Sequence, residues 1–354
     1  MTNFGIFLEK RNFLYSGRGS SAIYLILKSS NITNKFVILP ANICYAAVYP
    51  VIYSGNKPIF VDVNNDGNIS LKEILKKLGN KDNIGAAIIP HMYGNPCKNI
   101  TQITRILKER KILVIEDCAL AMGSELHGKV CGGFGDYSIF SFGYSKTLEI
   151  GNGGMIASKK DLTKIKILND KLEIYKESYS EELSLFSQLY RVIRNNKENK
   201  LIKIIYKEAI NCYKKDFLYR IDNKTKNIID DKLKELESII KLRKKNYKLY
   251  CKNIHENFIV KKYLFNKGAV PWRFNLLIDR NYKKEMIKFL LKKEILVSDW
   301  YPVVVNMFGE DKRNYPNAFK MEEKIINLPL IGIEEEEIIR ICKAINEKSS
   351  NTTI

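Results

Sequence analysis

Histidine is scarce in this chain, with three residues in 354, and no two of its seven cysteines stand as C-x-x-C. That excludes the usual ligand spacings of a structural zinc site. An odd, scattered set of thiols also builds no disulfide framework, and it fits a reducing cytoplasm. No apolar run approaches the ~20 residues needed to cross a bilayer. The longest, ICYAAVYPVIY at 43–53, is broken by Pro50. The N-terminus, MTNFGIFLEKRNFLYSGRG, carries charges where a secretory signal needs its apolar stretch. The reading is a cytoplasmic protein without an integral membrane segment. Nor does an arginine–aromatic cluster or nucleic-acid motif accompany the formal charge of +20. The excess is read as lysine on solvated helix faces, with no nucleic acid partner.

What is present is ordered. KFVILP (35–40), PIFVDV (58–63), GAAIIP (85–90) and ILVIED (112–117) are short continuous apolar runs, the pattern of strands buried on both faces. Helical patterns separate them. SLKEILKKLG (70–79) opens with a capping box from Ser70 to Glu73, and NITQITRILKERK (99–111) repeats its apolar residues at helical spacing. Further strands are expected at 136–142 and 154–158. The alternation predicts an α/β fold with a mainly parallel sheet covered on both sides. From 160 to 250 glycine and proline nearly vanish, and the stretch reads as helix, with a long amphipathic one at 230–250. After about 255 a smaller α/β unit is expected. The division is residues 1–228, with a helical extension at about 160–228, and residues 229–354.

In a parallel sheet, ligands sit beyond the carboxyl ends of the strands. There the chain places His91, then Glu116 and Asp117, then Ser141 leading to Lys146 in FSFGYSKTLEIGNGG (140–154). Near the start, SGRGSSAIYLIL (16–27) is a glycine turn opening into a helix. Its free amides, with the Ser20 and Ser21 hydroxyls, are candidates for holding a phosphate. Each feature alone has an ordinary reading: an N-cap, a strand-ending loop residue, a structural histidine, a surface lysine. Their order carries the functional one.

That order resembles the DegT/DnrJ family of fold-type I, pyridoxal-phosphate-dependent nucleotide-sugar aminotransferases. The matching motifs are Gly19-Ser20-Ser21-Ala22-Ile23, LPANICYAAV (39–48), His91-Met92-Tyr93-Gly94, Glu116-Asp117-Cys118-Ala119 and Ser141-Phe142-Gly143-Tyr144-Ser145-Lys146. The family's C-terminal pattern is matched more weakly by KELESIIKLRKKNYKLY, KKEILVSDWYP and INLPLIGIEEEEIIRICKAI. The resemblance implies an aspartate-aminotransferase-like fold and pyridoxal 5'-phosphate as cofactor. It makes Lys146 the Schiff-base lysine and proton carrier, with Asp117 against the pyridine nitrogen. Gly19, Ser20, Ser21 and Ser141 would hold the phosphate, and His91 would belong to the same site. Tyr45 is the candidate for stacking on the ring, with Cys44 its rival. A homodimer is implied, acting on an amino donor, expected to be glutamate, and on a nucleotide-linked keto-sugar for surface polysaccharide or glycoconjugate synthesis.

The chain departs from the family at Leu120, where glutamine is common, and at Asn152, where glutamate is common. Arg220 and Asn223 stand where an inter-subunit asparagine–arginine segment is sought. Two other readings stay open here. One is a pyridoxal-phosphate enzyme for a non-sugar ketone, and the other is a non-catalytic descendant that binds a partner. Lys146 argues against the family's dehydratase branch, which carries histidine in its place.

Overall fold

The computed structural model of the protein describes residues 3–195 and 200–351. Its centre is a seven-stranded sheet. In chain order the strands are β1 (Asn12–Ser16), β2 (Phe36–Pro40), β3 (Lys57–Val61), β4 (Ile84–Pro90), β5 (Leu113–Asp117), a short hairpin β6 (Glu125–Leu126) and β7 (Lys129–Val130), β8 (Tyr137–Ser141) and β9 (Gly154–Ser158). The hairpin stands apart, and the sheet order is β1-β9-β8-β5-β4-β2-β3. Strands β8, β5, β4, β2 and β3 run parallel, and β9 is antiparallel to both of its neighbours.

The apolar runs are continuous because the sheet has a core on each face. Successive side chains in a strand point to opposite sides. Val37, Leu39, Ala86, Ile88, Ile115 and Ile139 enter one core with the helix Gly19–Ser29. Their neighbours Ile38, Ala87, Ile89 and Val114 enter the opposite one, against the helix Ile100–Glu109. Half of the expected capping box forms: the Ser70 hydroxyl accepts the Glu73 amide and starts the helix Leu71–Asn80, whereas the Ser70 amide donates to the Asp62 carbonyl rather than to Glu73.

The stretch after β9 is helical, with Thr163–Asp170, Ser178–Asn195, Lys200–Cys212 and Lys214–Phe217. The single long helix expected over 230–250 is two, Asn223–Lys234 and Leu236–Asn253, broken at Glu235. Beyond them β10 (Val260–Lys262), β11 (Phe274–Ile278) and β12 (Ile325–Leu328) form a small antiparallel sheet. The helices Leu236–Asn253, Lys283–Lys292 and Glu335–Ser350 contribute Tyr250, Leu290 and Ile341 to the core on that sheet. Leu236, at the other end of its helix, packs into the large-sheet core with Ile229 and Phe142. Among the described residues, no helix is long and apolar enough to cross a membrane.

Candidate active site

The carboxyl ends of β2, β5 and β8 and the start of the helix Gly19–Ser29 open into a cavity of about 630 Å³. This is the size at which clefts enclose a cofactor-sized ligand. Gly19, Ser20, Cys44, Tyr45, Asp117, Ser141 and Lys146 line it. Helix Gly19–Ser29 enters with its first amides uncapped by any side chain, so the positive end of the helix dipole faces the opening. The turn before it is held very close to the chain at Tyr219. A Cβ on Gly17 would lie 1.9 Å from the Tyr219 carbonyl oxygen, so only glycine fits.

Lys146 and Asp117 face the same space. Burial pushes the Lys146 amine below its ordinary value; Asp117 opposes that shift and Arg18 adds to it. Burial likewise raises Asp117, against the Ala119 amide, which donates to its Oδ1 at 2.9 Å, and against Lys146. Among the described residues the two form no ion pair, and the other Asp117 oxygen has no hydrogen-bond donor. An amine poised to lose its proton therefore stands near a carboxylate free to take a cationic partner. Of the charged side chains among the described residues lining the cavity, Arg18, Lys146, Arg191 and Arg273 are cations and Asp117 is the single acid.

A family model for the DegT/DnrJ/EryC1/StrS aminotransferases matches residues 2–346. The chain belongs to this family. It is 30% identical over 351 residues to a GDP-perosamine synthase of Escherichia coli O157:H7, covering 96% of this chain and 87% of that one. It is 26% identical over 336 residues to a dTDP-3-amino-3,6-dideoxy-alpha-D-galactopyranose transaminase of Aneurinibacillus thermoaerophilus, covering 93% and 83%. Its fold matches Spr1654 of Streptococcus pneumoniae, solved in a PLP form, with a TM-score of 0.76 at 17% identity over 99% of this chain and 90% of that one.

The candidate residues do not all face the cavity alike. The Ser20 hydroxyl lines the cavity and donates to the Ala46 carbonyl at 2.6 Å. Ser21 is fully buried and does not line it; its hydroxyl donates to the Phe217 carbonyl at 3.0 Å and accepts the Tyr219 amide at 3.2 Å. Tyr45 borders the cavity, but its ring packs on Tyr190 at 4.3 Å and on Tyr49 at 5.4 Å. Cys44, just before it, is the one whose thiol lies in the field of Lys146 and Asp117.

His91 stands behind the cavity wall. Its Nδ1 accepts the Cys97 amide at 2.9 Å, so the ring proton is on Nε2, which donates to Glu116 at 2.9 Å. Glu116 also accepts the amides of Gly132, Phe134 and Gly135. The buried His91–Glu116–Cys131 group has the spacing of a metal site. With four donors already on Glu116, it serves instead to anchor the 132–135 turn to the end of β5. Leu120 packs against Tyr93 and the lining Trp272 without itself lining the cavity, and Asn152 lines it with a buried Oδ1 that has no partner among the described residues. Arg220 donates to the Leu172 carbonyl at 3.0 Å, and Asn223 starts a helix; neither borders the cavity.

Several lining residues escaped the sequence reading: Arg18, Arg191, Arg273, Trp300 and Tyr301. Arg18 had a signal in SGRGSS, a cation at the mouth of a glycine turn. The others arrive from distant segments.

Proposed function

We propose that this aminotransferase uses pyridoxal 5'-phosphate to move an amino group from an amino acid, with glutamate the expected donor, to a keto-sugar on a nucleoside diphosphate. The observation that carries this reading is the charge of the cavity, four cations to one carboxylate among the described lining residues. A phosphate dianion at the helix start uses part of that excess. The remainder suits a second polyanion, such as a sugar diphosphate, and the Trp272, Trp300 and Tyr301 rings offer apolar faces to a sugar.

The residues fit the cofactor. The uncapped helix start with Gly19, Ser20 and Ser141 would hold the phosphate, Asp117 would sit against the pyridine nitrogen, and Lys146 would bind covalently. Once bound, pyridoxal phosphate supplies an electron sink for the charge left when a proton departs the donor's Cα. Lys146 would carry that proton, because its lowered pKa leaves more of the amine unprotonated near neutrality. Asp117, as an anion, would keep the ring nitrogen protonated, and Cys44 would lie nearer the ring than Tyr45.

We also read the protein as a cytoplasmic homodimer with a large unit at 1–228 and a small one at 229–354. All seven cysteines are free. Tyr144 at the cavity and Leu185 on the helix beside it are 69% and 57% exposed, apolar surface a second copy would cover. Light scattering should give twice the chain mass.

The function is tested by mixing purified holo-protein with glutamate and a panel of GDP-, UDP- and dTDP-linked keto-sugars. An amino sugar nucleotide should form with one of them, with 2-oxoglutarate in equal amount. If only non-sugar ketones are aminated, the acceptor assignment is wrong.

A further inference from the structure

We propose that Arg243 is a positioning residue for Lys146: from the helix Leu236–Asn253 it grips the peptide that carries the lysine and fixes where its amine can reach. The inference rests on Lys146 being the lysine that binds the cofactor.

Arg243 is 5% exposed. One guanidinium nitrogen, Nη1, donates to the Trp272 carbonyl at 2.6 Å and reaches that of Pro271 at 3.5 Å. The other, Nη2, donates to the carbonyl of Lys146 itself at 3.2 Å and reaches that of Thr147 at 3.5 Å. Among the described residues no carboxylate pairs with it, and its Nε has no partner at all. Burial, followed by the repulsion of Arg273, lowers its pKa to about 10. Glu149 acts on it only at a distance, without an ion pair, and a buried cation without a paired carboxylate costs stability that hydrogen bonds only partly offset. Arg243 is therefore poorly explained as a packing residue or half of an ion pair. All four of its contacts go to carbonyls, two in the lysine loop and two in the segment before β11.

The same loop is held at the preceding residue. Ser145 has φ +57°, in the left-handed region that a non-glycine residue adopts only when its surroundings hold it there. The Trp272 indole N–H donates to the Ser145 carbonyl, and Arg273 Nη2 donates to its hydroxyl at 3.0 Å. Three successive carbonyls, at 145, 146 and 147, thus accept donors from Trp272 and Arg243. A lysine side chain is long and flexible, so the accuracy of its amine depends on a fixed backbone. Displacements of about 1 Å at a reacting group can cost on the order of 100-fold in rate.

The test uses the cofactor-free full chain, with Arg243→Met and Arg243→Lys beside the parent. Trace acetic anhydride labelling across pH, mapped on the peptide containing FSFGYSK, reads the reactivity of Lys146 without any turnover. In folded Arg243→Met the loosened lysine should reach water, and its profile should move up by about one pH unit. Covalent uptake of pyridoxal phosphate should slow by about tenfold or more. Arg243→Lys, with one short ammonium that cannot span both carbonyl pairs, should fall between. A folded variant of either kind with the parent's profile and uptake rate overturns the proposal. If borohydride places the pyridoxyl label of the parent on another lysine, the assignment of Lys146 fails instead, whatever the Arg243 profiles show.

Discussion

The Tyr219 amide donates to the Ser21 hydroxyl at 3.2 Å, which ties the helix Gly19–Ser29 to a residue 198 positions away. The same hydroxyl donates to the Phe217 carbonyl. Ser21→Ala would leave both backbone groups unpaired in a buried place. Unfolding in urea should show a loss of about 1–3 kcal/mol, with pyridoxal phosphate affinity little changed. A variant of parental stability that no longer holds the cofactor would restore Ser21 as a phosphate ligand.

Lys146 should be the one lysine whose loss abolishes covalent cofactor binding. Borohydride reduction of the holo-protein followed by peptide mapping should put the pyridoxyl mass on FSFGYSK. Lys146→Ala should retain some cofactor through the helix start and Ser141, yet show no turnover. Comparable transamination by that variant would remove Lys146 from the mechanism.

Asp117→Asn keeps the Ala119 amide contact and the fold but removes the charge. Conversion of bound pyridoxal phosphate to the pyridoxamine form by the amino donor should slow by on the order of 100-fold or more, the scale of losing one electrostatic stabiliser of a reacting centre. Single-turnover absorbance measures it directly, and near-parental conversion would reject the pairing with the ring nitrogen.

Asp216, fully buried on the short helix Lys214–Phe217, meets Glu182 from the helix Ser178–Asn195. Among the described residues no side-chain hydrogen bond with good geometry reaches either Asp216 oxygen, which suits a proton shared with Glu182. Burial first, and Glu182 second, raises Asp216 from 3.8 to about 7. Glu182 is held down by Asp216 and by Lys215, which lies 3.2 Å from it. The folded chain keeps on Asp216 a proton that the unfolded chain releases near the ordinary value. Its contribution to stability is complete below that value and is lost as pH rises through about 7. Urea midpoints measured across this window should decline for the parent and flatten for Asp216→Asn. An identical slope in both would show that no shared proton is present.

The central strands were legible because both faces of the sheet are covered, which leaves apolar runs without alternation. Strand β1 was not: it lies at the sheet edge with Phe13 46% exposed, and neither pattern marks it. The break at Glu235 was equally hidden, because no glycine or proline interrupts the residues around it. At the site, Asp117, Ser141 and Lys146 could be brought to one cavity from the rule that parallel strands point their carboxyl ends at the ligand, and Gly19 and Ser20 from the glycine turn that opens a helix. Ser21 and Tyr45 could not be separated from their neighbours. Consecutive residues at a helix start diverge by about 100°, so residue type alone does not say which one faces the cavity. Arg243 did leave a trace. It stands at the apolar spacing of its helix, seven residues from both Leu236 and Tyr250, where a charge needs a reason.

Leu236 sits in one core and Tyr250 in the other, with Arg243 midway, so the helix between them works as a gauge block. Its residue count is a tolerance. One residue inserted before Arg243 would advance the helix by about 1.5 Å and turn the guanidinium by about 100°, away from the Lys146 carbonyl. Substitutions on its outer face leave that gauge intact, whereas any change in its length would mis-set the small sheet and the lysine loop together.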